Sequence, residues 1–207
     1  MPHPERDCGG QGSVAPVSGR YEIHEHAVHE RDVVQDFVRH CFRQSFGSDV
    51  RGFMPRLFSL REGGQLCGAF GLRSGRESFF LERYLDRPIE HWPARHGLTP
   101  WHRHRIVEVG HLSANFAGGA RTLIRLLTLQ LQREGIEGIA FTGTTSLRNA
   151  FRRMGLAPVA LGAASADRLA EHERPAWGSY YGHAPQVYIG DVSGGYRTLT
   201  GTRTPAW

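Results

Sequence analysis

The sequence predicts an α+β fold, a mixed β-sheet covered by helices. Three observations lead to it. Beyond residue 105, apolar strand-like runs alternate with helix-patterned segments. The first half holds a strand, a helix and a hairpin instead. The chain has 207 residues, 40% of them apolar, enough for one domain with a sizeable core.

Residues 1–19 combine charge, Pro and Gly without an apolar stretch; they are expected to form a flexible leader and do not resemble a secretory signal. "RYEIHEH" (20–26) alternates apolar and polar positions as a half-buried strand does. In "ERDVVQDFVRHCFRQSFG" (30–47), Val33, Val34, Phe37, Val38, Cys41 and Phe42 recur at helical spacing, and Gly47 is a common stop. "RLFSLREGGQLCGAFGLRSG" (56–75) reads as a hairpin whose Gly63-Gly64 suits the positive φ of a tight turn. Residues 78–105 are irregular, with a short helix expected over 80–86 before Pro88 and then a loop with two tryptophans. Strand 105–113, helix 118–135, strand 136–145, helix 146–155, strand 157–164, a short helix at "SADRLAEH" and strand 185–192 complete the order. The domain thus spans 20–192, and the Gly- and Thr-rich residues 193–207 are expected to be a flexible tail.

Composition excludes some classes. No run approaches the roughly 18 apolar residues of a membrane span, so a cytoplasmic protein without an integral membrane segment is expected. Cys8, Cys41 and Cys67 have no metal or redox spacing and read as reduced thiols. The histidines of "HWPARH" and "WHRH" lack a carboxylate or cysteine at zinc spacing, so no metal centre is expected. Net charge is +5, and every Lys/Arg position is arginine. That excess is compatible with a phosphate-bearing partner, coenzyme or RNA.

The most informative segment is "VEVGHLSANFAGGARTLIRLL" (107–127), a strand, a Gly/Ala turn and a leucine-rich helix. Glycines let backbone approach a ligand, and a helix N-terminus offers unpaired N–H groups and a partial positive charge, so Gly118, Gly119 and Ala120 are candidates for an anion cradle. Arg121 and Arg125, one helical turn apart, are placed to add phosphate contacts. A tight strand-to-helix turn with no ligand explains the same glycines equally well.

Asn115-x-x-Gly118-x-Ala120 resembles the Q/R-x-x-G-x-G/A pyrophosphate loop of the GNAT acyltransferases, and "LRNAFRRMGLAP" (147–158) resembles their N…A…Y…GF helix. More closely, "FFLERYLDRPIE" (79–90), "RIVEVGHLSA" (105–114), "FTGTTSLRNAFRRMGL" (141–156) and "WGSYY" (177–181) resemble the thermostable hemolysin family, whose fold is related to GNATs and acyl-homoserine-lactone synthases. The resemblance covers about four-fifths of the chain. It implies a three-layer GNAT-like fold: a mixed, mostly antiparallel sheet of six or seven strands with helices on both faces. It also implies an acyltransferase with no permanently bound cofactor. Three positions depart from the pattern. Asn115 replaces Gln or Arg, which counts against ordinary acetyl-CoA binding; Phe151 stands where many GNATs have a tyrosine acid; His111 stands where hemolysin relatives are expected to have Asn.

GNAT-type transfer needs an amine that loses a proton, a carbonyl under attack and donors for the oxyanion. Glu108, between apolar neighbours, is the leading candidate base; an ion pair to Arg105 or Arg148 is the plainer role. His111, on the opposite strand face from Glu108 by parity, is a second candidate, either as base or as a partner for a substrate carboxylate. Asn149 is a candidate donor contact or a helix cap. The resemblance puts Glu82 on the acceptor side, where it is a candidate for holding an amine. Thr142 and Thr144 end a strand where ligands bind in open sheets, and Trp177, Tyr180 and Tyr181 are candidates for a pocket wall.

The expected function is therefore N-acyl transfer from acyl-CoA, an acyl carrier protein or an aminoacyl-tRNA to the amine of a small molecule, as in specialised metabolism, with the thioester donors ranked first on family grounds. The weak loop match and the basic segments 102–105 and 148–153 keep the tRNA donor open. The alternatives are a membrane-active hemolysin-like protein and a non-catalytic binding module. Helix 119–134 carries apolar residues on more than one face, which fits either a homodimer contact or cover on two sides within the chain.

Overall fold

A computed structural model describes residues 15–18 and 20–202. Its main elements are β1 (Ala15–Ser18), β2 (Tyr21–His26), α1 (Asp32–Phe46), β3 (Arg56–Glu62), β4 (Gln65–Ser74), β5 (Ile106–Ala114), α2 (Gly119–Arg133), β6 (Gly138–Gly143), α3 (Thr145–Arg153), β7 (Val159–Ala163), β8 (Gln186–Asp191) and α4 (Val192–Thr200). The strands form one sheet in the order β1-β2-β3-β4-β5-β6-β8-β7. Among the described residues only β5 and β6 run parallel; every other neighbouring pair is antiparallel.

The sheet is mixed and mostly antiparallel, as expected, but has eight strands. The additional one, β1, falls in the segment read as leader and pairs with β2 at the sheet edge. Its "APVS" shows no alternation and contains Pro16, which an edge strand tolerates. The remainder of that leader, 1–14 and 19, lies outside the described residues.

The two sheet faces are covered differently. On one, Leu123, Ile124, Leu127 and Leu131 of α2 pack on Phe58, Phe70, Leu72, Val107 and Val109. Full burial of each such side chain contributes about 1.5–3 kcal/mol. On the other, Val34 and Val38 of α1 pack on Ala69. Beside α1, short 3-10 turns and the loop between them lay Leu81, Tyr84, Ile89 and Trp101 over Ile106, Ala140, Val187 and Ile189. The helix expected over 80–86 is one of these turns, Phe80–Tyr84, and Leu85 is already extended ahead of Pro88. The helix expected at 165–172 is likewise replaced by 3-10 turns at Ala166–Arg168 and Glu171–Trp177.

The tail expected from 193 is helical as far as Thr200. Asp191 caps α4 by accepting the Gly194 N–H at 2.6 Å, and Val192 is buried beneath it. Gly194 and Gly195 obscured the helix pattern, yet a Cβ on Gly195 would already touch Thr128 of α2 at 3.6 Å. The second apolar face of α2 is covered by α3 and α4. That arrangement accounts for its leucines without a second chain.

Candidate active site

Strand pairing opens the sheet at its centre. The parallel register of β5 with β6 runs from Ile106↔Gly138 to Val109↔Phe141 and stops. Beyond it, Gly110–Ala114 stay with β4, while Thr142 and Gly143 stay with β8. The two strands diverge, and the β6-facing backbone groups of Gly110–Ala114 have no strand partner. A cavity of about 40 Å³ lies in this split on the α2 side, lined by Val109, Leu112, Ile124, Phe141, Leu147 and Phe151 among others. Phe151 is buried and stacked on Phe141, so it packs this cavity rather than meeting a leaving group.

The glycine turn lies at the open end of β5. Gly118 is left-handed (φ 82°) and stands at the N-cap of α2. Gly119 is where helix and strand touch: a Cβ there would sit 2.3 Å from the Ala114 Cβ. Both glycines therefore have structural reasons to be present. The turn also has what an anion site needs, because no side chain caps the start of α2 and no acidic residue is in its first turn. The Arg121 guanidinium folds over it, with Nη2 3.5 Å from where a Gly118 Cβ would be. Exposed Asn115 enters the turn with its N–H on Cys67 O at 3.2 Å. Asn149 is the fifth residue of α3, whose N-cap is Thr144, so it is not a cap.

Glu108 is 3% exposed and lies at the closed end of the split. Its Oε2 accepts the Phe80 N–H at 2.7 Å and lies 3.5 Å from Arg73 Nη1. The arginine beside it is thus its cross-strand neighbour on β4, and neither Arg105 nor Arg148. Burial pushes the Glu108 carboxyl above the ordinary carboxylate range, against the pull of the Phe80 N–H and Arg73.

His111 does not lie on the face parity assigned. Between Gly71↔Gly110 and Ala69↔Ser113 the register of β4 and β5 shifts, and His111 adopts φ 56°. This β-bulge turns the imidazole onto the α1 side, the side Glu108 occupies, against Phe42 and Phe53. There its Nε2 accepts the Met54 N–H at 3.1 Å. Burial, with Arg73 nearby, lowers its pKa to about 4, so the ring is neutral and its acceptor nitrogen is already engaged. That geometry makes His111 a brace for the α1–β3 connection and a poor base.

Of the candidates for an acceptor pocket, Thr142, Trp177 and Tyr180 come together. Tyr180 Oη donates to Thr142 Oγ1 at 3.1 Å, and Trp177 packs on Tyr180 and Tyr181. The segment is seated on the end of α1 through Ser179 N–Phe46 O (2.8 Å) and Ser48 Oγ–Trp177 O (2.7 Å). Burial raises the Tyr180 phenol to about 12, so it stays protonated. Glu82 is not among these groups. Its carboxylate accepts from Arg103 (2.6 and 3.1 Å) and the Ile89 N–H (2.9 Å). Burial opposes its ionisation, but those donors outweigh it and hold the carboxyl below the ordinary range. Glu82 is occupied in a part-buried ion pair with Arg103 and is not a free carboxylate for an amine.

The thermostable hemolysin family model matches residues 24–196. The chain belongs to the thermostable hemolysin family. No curated protein matches this hemolysin-family chain in sequence. Its structural neighbours include the acyl-homoserine-lactone synthase LasI (TM-score 0.60, 11% identity, covering 95% of this chain and 100% of that one). They also include FeeM, an N-acyl amino acid synthase from uncultured soil microbes (TM-score 0.59, 12% identity, 89% and 99% covered), and TofI, solved with an inhibitor and MTA (TM-score 0.57, 14% identity, 89% and 97% covered). At these identities the likeness establishes the fold alone, the mixed sheet with helices that these chains share. Among the described residues, no helix of this hemolysin-family protein is long and apolar enough to cross a membrane.

Several residues of the site had no signal in the sequence. Arg73 is paired with Glu108 only through strand register. Tyr84 and Tyr181 share a 2.6 Å hydrogen bond beside Trp177 although they are far apart in the chain. Ser113, in the split part of β5, buries a hydroxyl with no partner among the described residues.

Proposed function

We propose that this protein is an N-acyltransferase that moves an acyl group from a thioester, acyl-CoA or an acyl carrier protein, to the amine of a small molecule. The observation that carries the reading is the β5–β6 split, with an uncapped, arginine-covered helix start at its mouth and an apolar cavity within. The neighbours named as acyl-homoserine-lactone and N-acyl amino acid synthases support it.

In this reading the donor phosphates lie on the N–H groups of Ala120 and Arg121 with the Arg121 side chain, and Asn115 and Asn149 flank the donor. The thioester carbonyl meets the unpaired edge of β5, whose N–H groups hold the developing oxyanion. The amine enters along Thr142, Trp177 and Tyr180, with Thr144 at the rim. Its nitrogen attacks the carbonyl carbon; the C–N bond forms, the C–S bond breaks and the thiolate leaves. The amine proton passes to Glu108 through a bound water. A cavity of about 40 Å³ favours a short acyl group.

A second donor is favoured by one observation. Arg121, Arg125, Arg148, Arg152 and Arg153 are exposed on α2 and α3, with no carboxylate partner among the described residues. Such a surface suits a polyanion, here an aminoacyl-tRNA forming an amide. The test is to incubate the protein with an amine pool and either short acyl-CoAs, acyl carrier protein or charged tRNA, following free thiol and new amides by mass spectrometry. Thiol release with amide formation supports the first reading. Amide formation from charged tRNA alone supports the second. Neither product, together with leakage of liposomes by the substrate-free protein, supports a membrane-active protein instead.

A further inference from the structure

A second cluster of chemistry-bearing side chains lies on β2, three strands from the split. Strand alternation puts Glu22, His24 and His26 on one face, while Ile23 faces the α2-side core. After His26 the chain makes a 3-10 turn, Val28–Glu30, which returns a carboxylate to the histidines. One ligand atom each from His24, His26 and Glu30 lie within 4.8 Å of one another. The two imidazoles meet edge-on, with centroids 4.6 Å apart.

The site is also built from behind. His26 is buried, and its Nε2 lies 2.8 Å from Oγ of Ser59, which is fully buried on β3. That hydrogen bond helps fix the ring, whose other polar neighbour is the Glu30 backbone, a weak contact that a bound ion would replace. In front, a groove of about 410 Å³ is lined by Glu22, His24, His26, Glu30, Val33 and Arg61. Arg61, on the groove wall, directs Nη1 to Gly64 O at 2.8 Å, while its charge still reaches His26 and favours a neutral imidazole there. Glu30 has one further partner there, exposed His29 at 3.6 Å.

We propose that His24, His26 and Glu30 bind one divalent transition-metal ion of the zinc class, with a coordination position open to the groove. Two imidazoles and one carboxylate suit zinc, cobalt or nickel, whereas magnesium and calcium take oxygen sets. The open position takes water or an anionic oxygen ligand from the groove. Because the ligands come from β2 and from the turn leading into α1, the ion clamps these elements together and stabilises the fold. The signal in the sequence is His-x-His followed by Glu four residues later, in "HEHAVHE".

Titration of the full chain with Zn²⁺ by calorimetry, and with Co²⁺ by visible absorption, tests this. Wild type is expected to bind one equivalent per chain, with a raised Tm and the absorption of a low-coordinate Co²⁺ site. His24→Ala and Glu30→Gln alter side chains at the surface of the groove. Each is expected to lose saturable binding while the metal-free Tm stays close to that of wild type. Ser59→Ala keeps the ligands and is expected to weaken binding by about 10–100-fold. Absence of saturable Zn²⁺ binding to wild type overturns the proposal. So does undiminished binding in either ligand variant, which assigns the ion to other groups of the chain.

Discussion

Glu108 and His111 are three residues apart and do different work. Glu108 is a buried carboxyl that shapes its surroundings, because its oxygen holds the start of the Phe80–Tyr84 turn through the Phe80 N–H. Glu108→Gln separates that anchoring from proton transfer: the amide still accepts from Phe80 but takes no proton from an amine. We expect the variant to fold with a Tm near wild type and kcat to fall about 10²–10⁴-fold. A kcat unchanged in Glu108→Gln would leave anchoring as its whole role. Wild-type kcat should rise with pH through the Glu108 titration, above the ordinary carboxylate range. His111 has its pKa lowered from 6.5 to about 4, so the unfolded chain binds this proton more readily than the native one. Its contribution is fully present above pH 6.5 and is lost as pH falls toward 4, on the order of 3 kcal/mol in all. Urea unfolding at pH 7 and pH 5 should show a drop in wild type that His111→Asn reduces. Glu108 was legible in the sequence because a charge inside an apolar run stands out. The face of His111 was not: counting by twos fails at a bulge, and here Met54 fills the space over Gly71 and Gly110, where a Cβ would lie 2.5–2.6 Å from Met54 atoms.

At the scale of elements, the glycine turn was readable and the split was not. Gly118 and Gly119 announced a strand-to-helix turn, and both are required by its geometry. Where β6 leaves β5 depends on β4 and β8 holding their partners, which no local pattern records. The irregular stretch 78–105 eluded a periodicity reading for a related reason. Its 3-10 turns follow the contour of the core, and Arg103 joins them to Glu82 and Glu90. Gly119→Ala should test the close approach of α2 to β5. The added Cβ conflicts with Ala114, and we expect a loss of about 1–3 kcal/mol by denaturant unfolding. We expect donor affinity to fall with it, since the displaced turn carries the N–H groups; an unchanged donor affinity would place the phosphates elsewhere. Leu112→Ala opens the cavity in the split, and the acyl length turned over best should increase.

Over the whole molecule, charge, cavity and fold converge on the centre of one sheet. The chain is basic, and it carries exposed arginines on α2 and α3, the helices that follow β5 and β6. The fold class was legible from element order, while the ends of the domain were blurred by Pro16 in β1 and the glycines of α4, residues that weaken a periodic signal without preventing the element. In the proposed reaction the split holds an activated carbonyl while a small amine attacks it. Its most direct measurement is free-thiol release when the purified protein meets short-chain acyl thioesters and a pool of small amines, with the amide identified by mass spectrometry. Thiol and amide are expected in equal amounts, both formed about 10²–10⁴-fold more slowly by Glu108→Gln. Charged tRNA giving an amide while every thioester gives neither thiol nor amide would contradict the proposed donor, and no amide from any donor would contradict the transferase itself.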